Sequence, residues 1–112
     1  MVPSEERLEN LLSDEGYPIP TKQHPIPLTV EGFPTLNRTL PDFVYIEKKV
    51  AIYLDGMSGH LHGNPETALV DRLISDKLDE LGWEVIRIQY PELNDPQVMN
   101  IYFRKLSRYL GK

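Results

Sequence analysis

Proline places the strongest limit on what this chain can fold into. Residues 17–41 carry Pro18, Pro20, Pro25, Pro27, Pro34 and Pro41. Each of them lacks a backbone N–H and has its φ fixed by the ring, so none can sit inside a helix or donate to the ladder of a central strand. The segment reads as an extended arm around the body, or equally as a binding loop. Thr29, Val30 and Phe33 leave room for a short edge strand within it. The regular elements of the fold must come from the sequence on either side.

On the N-terminal side, Ser4 suits a helix cap, Glu5 and Glu6 an acidic first turn, and Leu8, Leu11 and Leu12 one apolar face. Gly16 suits the left-handed stop. On the other side, Asp42 to Ile46 and Val50 to Leu54 are short, β-branched and aromatic. They flank the charged turn Glu47-Lys48-Lys49 and form a hairpin. A loop from Asp55 to Gly63 follows. A helix then runs from about Pro65 to Leu81, capped by Asn64 and stopped by Gly82. Trp83 to Ile88 reads as a strand returning onto the same sheet after that helix, with Trp83 in the core. Asp95 caps and Pro96 starts a last helix that ends at Gly111, its apolar positions being Val98, Ile101, Tyr102, Leu106 and Tyr109. The expected fold is α/β: one domain over residues 1–112, with a mixed sheet built on a central β-hairpin and flanked by helices.

Composition narrows the function. At 40% hydrophobic and 26% charged residues the chain belongs among globular domains, and no apolar run approaches a membrane span. The polar, acidic N-terminus does not read as a signal peptide, and a cytoplasmic location is expected. With no cysteine, disulfide scaffolds and thiolate zinc sites are excluded. A net charge of −5 argues against strong autonomous DNA binding but not against a carboxylate metal site.

The candidate chemistry sits at one end of the hairpin. With Lys48-Lys49 as a two-residue turn, Glu47 faces Val50 and, counting outward, Asp42 faces Asp55. Opposed carboxylates with roots about 5 Å apart repel unless a cation lies between them, and a divalent metal is the obvious candidate. A turn longer by one residue shifts this register. His60 and His62 follow on the glycine-rich loop, where an imidazole can move a proton. Metal-assisted hydrolysis is the reaction class that uses such parts. The plain structural alternatives are turn residues for Asp42 and Asp55 and a solvated loop for the histidines. Arg104, Lys105 and Arg108 make a basic tail, either a solvated face or a DNA-backbone contact.

Pro41-Asp42-Phe43-Val44, then Val50-Ala51-Ile52-Tyr53-Leu54-Asp55-Gly56, then His60-Leu61-His62 resembles the very short patch repair endonuclease family of the PD-(D/E)xK, or restriction-endonuclease-like, superfamily. Asp71-Arg72, the run Asp79 to Arg87, and Glu5 to Leu8 with Leu11-Leu12 extend the likeness over roughly residues 4–93. The resemblance implies a restriction-endonuclease-like core and a magnesium- or manganese-dependent endonuclease acting on DNA. It implies that Asp42 and the Leu54 carbonyl hold the ion, that His60 transfers a proton, and that Asp71 and Glu5 support the site. Asp55 stands where that family carries another histidine. Relatives usually have Glu where this chain has Tyr53, no lysine follows at the (D/E)xK position, and the family's structural zinc ligands include cysteines. These departures leave a second expectation open: a catalytically degenerate DNA-binding or accessory domain of a larger helicase, defence or repair protein. A third is a dimerisation domain with no nucleic acid partner.

Overall fold

A computed structural model describes residues 4–55 and 65–111. Helix α1 spans Ser4–Asp14, and the arm that follows holds three two-residue strands, β1 (Thr21–Lys22), β2 (Ile26–Pro27) and β3 (Arg38–Thr39). Strands β4 (Phe43–Tyr45) and β5 (Val50–Asp55) form the hairpin, α2 covers Pro65–Glu80, β6 covers Glu84–Gln89 and α3 covers Pro96–Leu110. The main sheet has the order β1-β4-β5-β6, and β2 and β3 pair separately. β1–β4 and β4–β5 are antiparallel and β5–β6 is parallel. The mixed α/β architecture and the return of a strand after α2 match the sequence expectation.

The period-2 alternation of β5 organises two cores. Val50, Ile52 and Leu54 face α1 and α3, where they meet Leu8, Leu12 and Leu106. Ala51 and Tyr53 face α2 and the arm, beside Leu78, Ile26 and Leu28. A slip of one residue would exchange the two faces, so burial on both sides pins the strand. Trp83 lies partly buried on the α2 side, just before β6 rather than within it.

The hairpin turn corrects the expected register. Tyr45 pairs with Val50, Val44 with Ala51 and Phe43 with Ile52. Residues 46–49 form the connection, with a 3-10 turn over Ile46–Lys48 and Lys49 in the left-handed region at φ 55°. A two-residue loop needs positive φ at both central positions in a type I′ turn, or a glycine at the first in a type II′ turn. Glu47, Lys48 and Lys49 offer neither, and the longer loop asks for only one left-handed residue. Counting outward from Phe43 and Ile52, Asp42 stands opposite Tyr53, not Asp55.

The arm is bound to the body by polar contacts. The Tyr17 hydroxyl donates to the Phe103 carbonyl at 2.8 Å and hydrogen-bonds Ser107, and its ring stacks on Phe103 with centroids 5.9 Å apart. The Tyr45 hydroxyl donates to the Pro18 carbonyl at 2.8 Å. The strand expected at Thr29, Val30 and Phe33 is replaced by the β2–β3 pair, which flanks those residues and lays Ile26, Leu28 and Val30 on the α2-side core.

α3 begins and ends as its sequence dictates. The Asp95 carboxylate accepts the Gln97 and Val98 N–H groups, and Gly111 closes the helix at φ 74°. Its buried stripe is Met99, Phe103, Leu106 and Leu110, and Ile101 is 61% exposed. Of the expected apolar positions Leu106 is buried and Tyr102 and Tyr109 pack partly against the core, while Ile101 faces away and Met99, Phe103 and Leu110 complete the stripe. Among the described residues no helix is long and apolar enough to cross a membrane. Leu106→Ala should destabilise the domain by about 2–5 kcal/mol and Ile101→Ala by less than about 0.5 kcal/mol. Urea denaturation of the two variants checks which stripe carries α3.

Candidate functional site

The site begins with a defect in the β4–β5 ladder. In an antiparallel pair, residues that exchange hydrogen bonds alternate with residues that do not, and the N–H and C=O of one residue point to the same side. The Leu54 N–H points toward the β4 side, because it donates to Asp42 Oδ2 at 2.7 Å. The Leu54 carbonyl therefore points there too. Continuing the register, the residue due to bond both groups is Pro41, which has no N–H to give. The ladder stops at that point, with the Asp42 side chain taking up the Leu54 N–H and the Leu54 carbonyl left without a donor from β4.

Asp42 sits half-buried between the arm and β4. Its backbone carbonyl accepts the Gln23 N–H at 3.1 Å, so main chain and side chain are tied to neighbours on opposite sides. Burial pushes the Asp42 carboxyl above the ordinary carboxylate range; the Leu54 N–H opposes this, and the Glu5 carboxyl, hydrogen-bonded to Asp42 and acting on it as a like charge, reinforces it. Two like-charged carboxyls set this close are a place where a cation is favoured. Glu5 comes from the first turn of α1, whose burial of Leu8 and Leu12 against the sheet sets the helix start beside Asp42.

Across the hairpin from Asp42 stands Tyr53. Its hydroxyl is hydrogen-bonded to Thr39 of β3, a buried residue that the arm delivers. Burial pushes the phenol up from its usual value, so it stays neutral at physiological pH. The same hydroxyl feels the charges of Arg87, Asp42 and Asp71. Arg87 pairs with Tyr53 in the parallel register, places its Cζ 4.4 Å from the ring centroid, and donates from Nη2 to Ser75 Oγ of α2 at 3.0 Å.

The residues named from the sequence are thus distributed unevenly. Asp42, Glu5 and Leu54 come together, and Asp71 stands on α2 within electrostatic reach of Tyr53. Asp55 ends β5 one residue beyond Leu54, with its side chain outside the described residues. His60 and His62 also lie outside them. Sequence reasoning gave no role to Pro41, Thr39, Ser75 or Arg87. Pro41 was readable as a ladder stop once a hairpin was expected. Thr39, Ser75 and Arg87 carried no signal, because the arm, a helix and a parallel strand bring them to Tyr53 from distant positions.

Among the described residues no three of His, Cys, Asp and Glu gather as a group that could hold a metal ion. Comparisons with protein-family models, with curated proteins and with solved structures give no match to this chain.

The raised Asp42 carboxyl has a consequence for stability. A carboxyl that holds its proton more tightly when folded stabilises the fold fully below its unfolded value, and loses that contribution as pH rises through its folded value. In metal-free buffer Asp42→Asn keeps an acceptor for the Leu54 N–H and a neutral partner for Glu5. It should therefore be more stable than the wild type at pH 7, with the difference shrinking as pH falls through the raised folded value of Asp42 and gone below the ordinary carboxylate value near 3.8. Thermal melts of both proteins across pH 3 to 8 test the sign.

Proposed function

We propose that this domain is a magnesium-dependent endonuclease that hydrolyses DNA phosphodiester bonds. The observation that carries the reading is the convergence of three oxygen donors, the Asp42 and Glu5 carboxyls and the Leu54 carbonyl freed by Pro41, at the end of the β4–β5 ladder. These are hard donors. Magnesium is commonly held by one or two carboxylates together with water and substrate phosphate, so a full protein cage is not needed. The element order supports the same reading: an N-terminal helix, a central hairpin, a crossover helix and a further strand on one sheet are the parts that the restriction-endonuclease-like resemblance implies.

In this reading Asp42 and Glu5 hold the ion and the Leu54 carbonyl completes the protein's share. The ion, when bound, supplies Lewis-acid polarisation of a phosphoryl oxygen. The Leu54 N–H fixes one oxygen of Asp42. His60 is the group assigned to move a proton during hydrolysis, and Asp71 would orient groups around Tyr53.

A second reading has its own support. Tyr53 occupies the position opposite Asp42 with its hydroxyl tied to Thr39 and its ring under Arg87, which fixes a neutral aromatic where a carboxylate ligand belongs in related nucleases. The acidic balance of the chain also disfavours grip on DNA without help. A degenerate DNA-binding or accessory domain of a larger machine fits these facts.

Cleavage of mixed single- and double-stranded DNA with magnesium or manganese separates the two. The endonuclease reading expects cleavage that falls by at least about 10²-fold in both Asp42→Ala and His60→Ala. It also expects magnesium to raise the melting temperature of the wild type and not of Asp42→Asn. A folded wild type that neither cleaves nor responds to magnesium would leave the accessory reading standing.

A further inference from the structure

Charge is unevenly placed along this chain. All 17 acidic residues lie at or before Asp95, and residues 96–112 carry Arg104, Lys105, Arg108 and Lys112 with no Asp or Glu among them. The net charge of −5 therefore combines an acidic body with a basic last helix. The fold keeps the basic residues outward. With about 3.6 residues per turn, Arg104, Lys105 and Arg108 fall on the side of α3 opposite the packed stripe of Met99, Phe103, Leu106 and Leu110, and all three are exposed.

Several cations elsewhere are engaged. Lys22 pairs with Glu9 at 2.7 Å, Lys77 with Glu80 at 3.4 Å, and Lys49 donates to the Leu81 carbonyl at 2.9 Å. Among the described residues no ion pair or side-chain hydrogen bond involves Arg104, Lys105 or Arg108. Glu84 of β6 acts on the Tyr109 phenol at the flank of the helix, as does Arg108, but these two charges form no ion pair. Arg104 and Arg108 stand four residues apart, where like charges disfavour a helix, and α3 has no carboxylate of its own to offset them. A cation in the last turn favours the helix dipole, which accounts for Arg108 but not for Arg104 or Lys105.

The surroundings of these cations narrow the partner. α3 buries its apolar stripe on the sheet and leaves Ile101 as its exposed large hydrophobic residue. Insertion into a lipid interface needs a free apolar face, and a protein interface needs an apolar centre. A single isoleucine supplies neither. A nucleic-acid backbone needs accessible positive charge in series. Arg104 and Arg108 are separated by about 6 Å of helix axis, and a DNA strand presents a phosphate about every 3.4 Å of duplex axis, so both can meet one backbone. α3 also shares its face of the sheet with α1, whose first turn supplies Glu5 to the candidate site.

We infer that the outer face of α3, through Arg104, Lys105 and Arg108, is the surface that holds the DNA backbone; this rests on the DNA-acting reading above. A merely solvated face makes a different forecast. Neutralising it leaves the salt dependence of binding unchanged, whereas loss of phosphate contacts lowers that dependence because fewer counterions are released.

The test is a series of fluorescence-anisotropy titrations of a labelled mixed-sequence duplex with the full chain at several salt concentrations, with calcium in place of magnesium. Arg104→Gln/Arg108→Gln should weaken binding at least about tenfold at low salt and reduce the slope of log affinity against log salt by about two. Arg38→Gln/Arg72→Gln removes the same net charge from the arm and α2 and should keep the wild-type slope. Glutamine is a good helix former, and circular dichroism with thermal melting establishes that each variant is folded. Arg104→Gln alone leaves the last turn intact, should lower the slope by about one, and carries the test if the double variant unfolds. A folded α3 variant with the wild-type slope overturns the inference, as does an equal loss in the arm and α2 variant or a wild type that binds no DNA. Vesicles containing phosphatidylserine are titrated in parallel; α3-dependent binding to them without an α3-dependent DNA slope overturns it in favour of a membrane surface. Cleavage assays keep the two proposals apart. An α3-dependent slope in a protein that cleaves nothing removes the nuclease reading and retains the DNA surface. Cleavage with a slope indifferent to α3 does the reverse.

Discussion

β5 is the element on which the rest of the molecule depends. It is central in the sheet and buried on both faces, with Val50, Ile52 and Leu54 toward α1 and α3 and Ala51 and Tyr53 toward α2 and the arm. Its even-numbered residues bond toward β4, and its odd-numbered residues bond toward β6, as the Leu54 N–H and the Lys49 carbonyl show on the two sides. A strand held this way has little freedom to slip. It opens only where a neighbour runs out of donors, and on the β4 side that is Pro41.

The same interruption is what gives the end of the hairpin its chemistry. A continuous ladder would have consumed both polar groups of Leu54. Pro41 takes none of its share, Asp42 accepts the N–H from the side, and the carbonyl faces the gap. α1 then adds Glu5 to a carboxyl already disfavoured by burial. Such a pair is unstable in charge and therefore responsive, either to protons or to a cation. The proline-rich arm contributes more than cover. It delivers Thr39 to the Tyr53 hydroxyl, and that hydrogen bond sets the ring on which Arg87 lies.

Much of this fold was legible in the residues. The caps at Asp95 and Gly111, the stop at Gly16 and the switch from α2 to β6 each rest on local chemistry that one stretch of chain carries by itself. The register of the hairpin was not legible from spacing alone. It turned on whether Lys49 alone, or two adjacent residues, would adopt a left-handed backbone, and charged residues give no strong preference. The stripe of α3 was legible in part: Leu106, Tyr102 and Tyr109 pack as expected, but Ile101 is as apolar as Met99 and Phe103, and only the surface facing the helix decides which of them is buried.

For the site, the sequence by itself determined the pieces whose meaning is local: Pro41 as a residue that cannot donate, Asp42 beside it, and an acidic first turn at Glu5. Backbone covalent chemistry and helix-end electrostatics fix those properties wherever the chain goes. Only the tertiary structure decided that Glu5 meets Asp42, that Tyr53 and not Asp55 stands opposite Asp42, and that Arg87 lies over Tyr53. Those juxtapositions join residues up to 37 positions apart, across α1, the hairpin and a parallel strand. Their cause is the joint burial of two apolar faces on one sheet, a constraint that no single segment expresses.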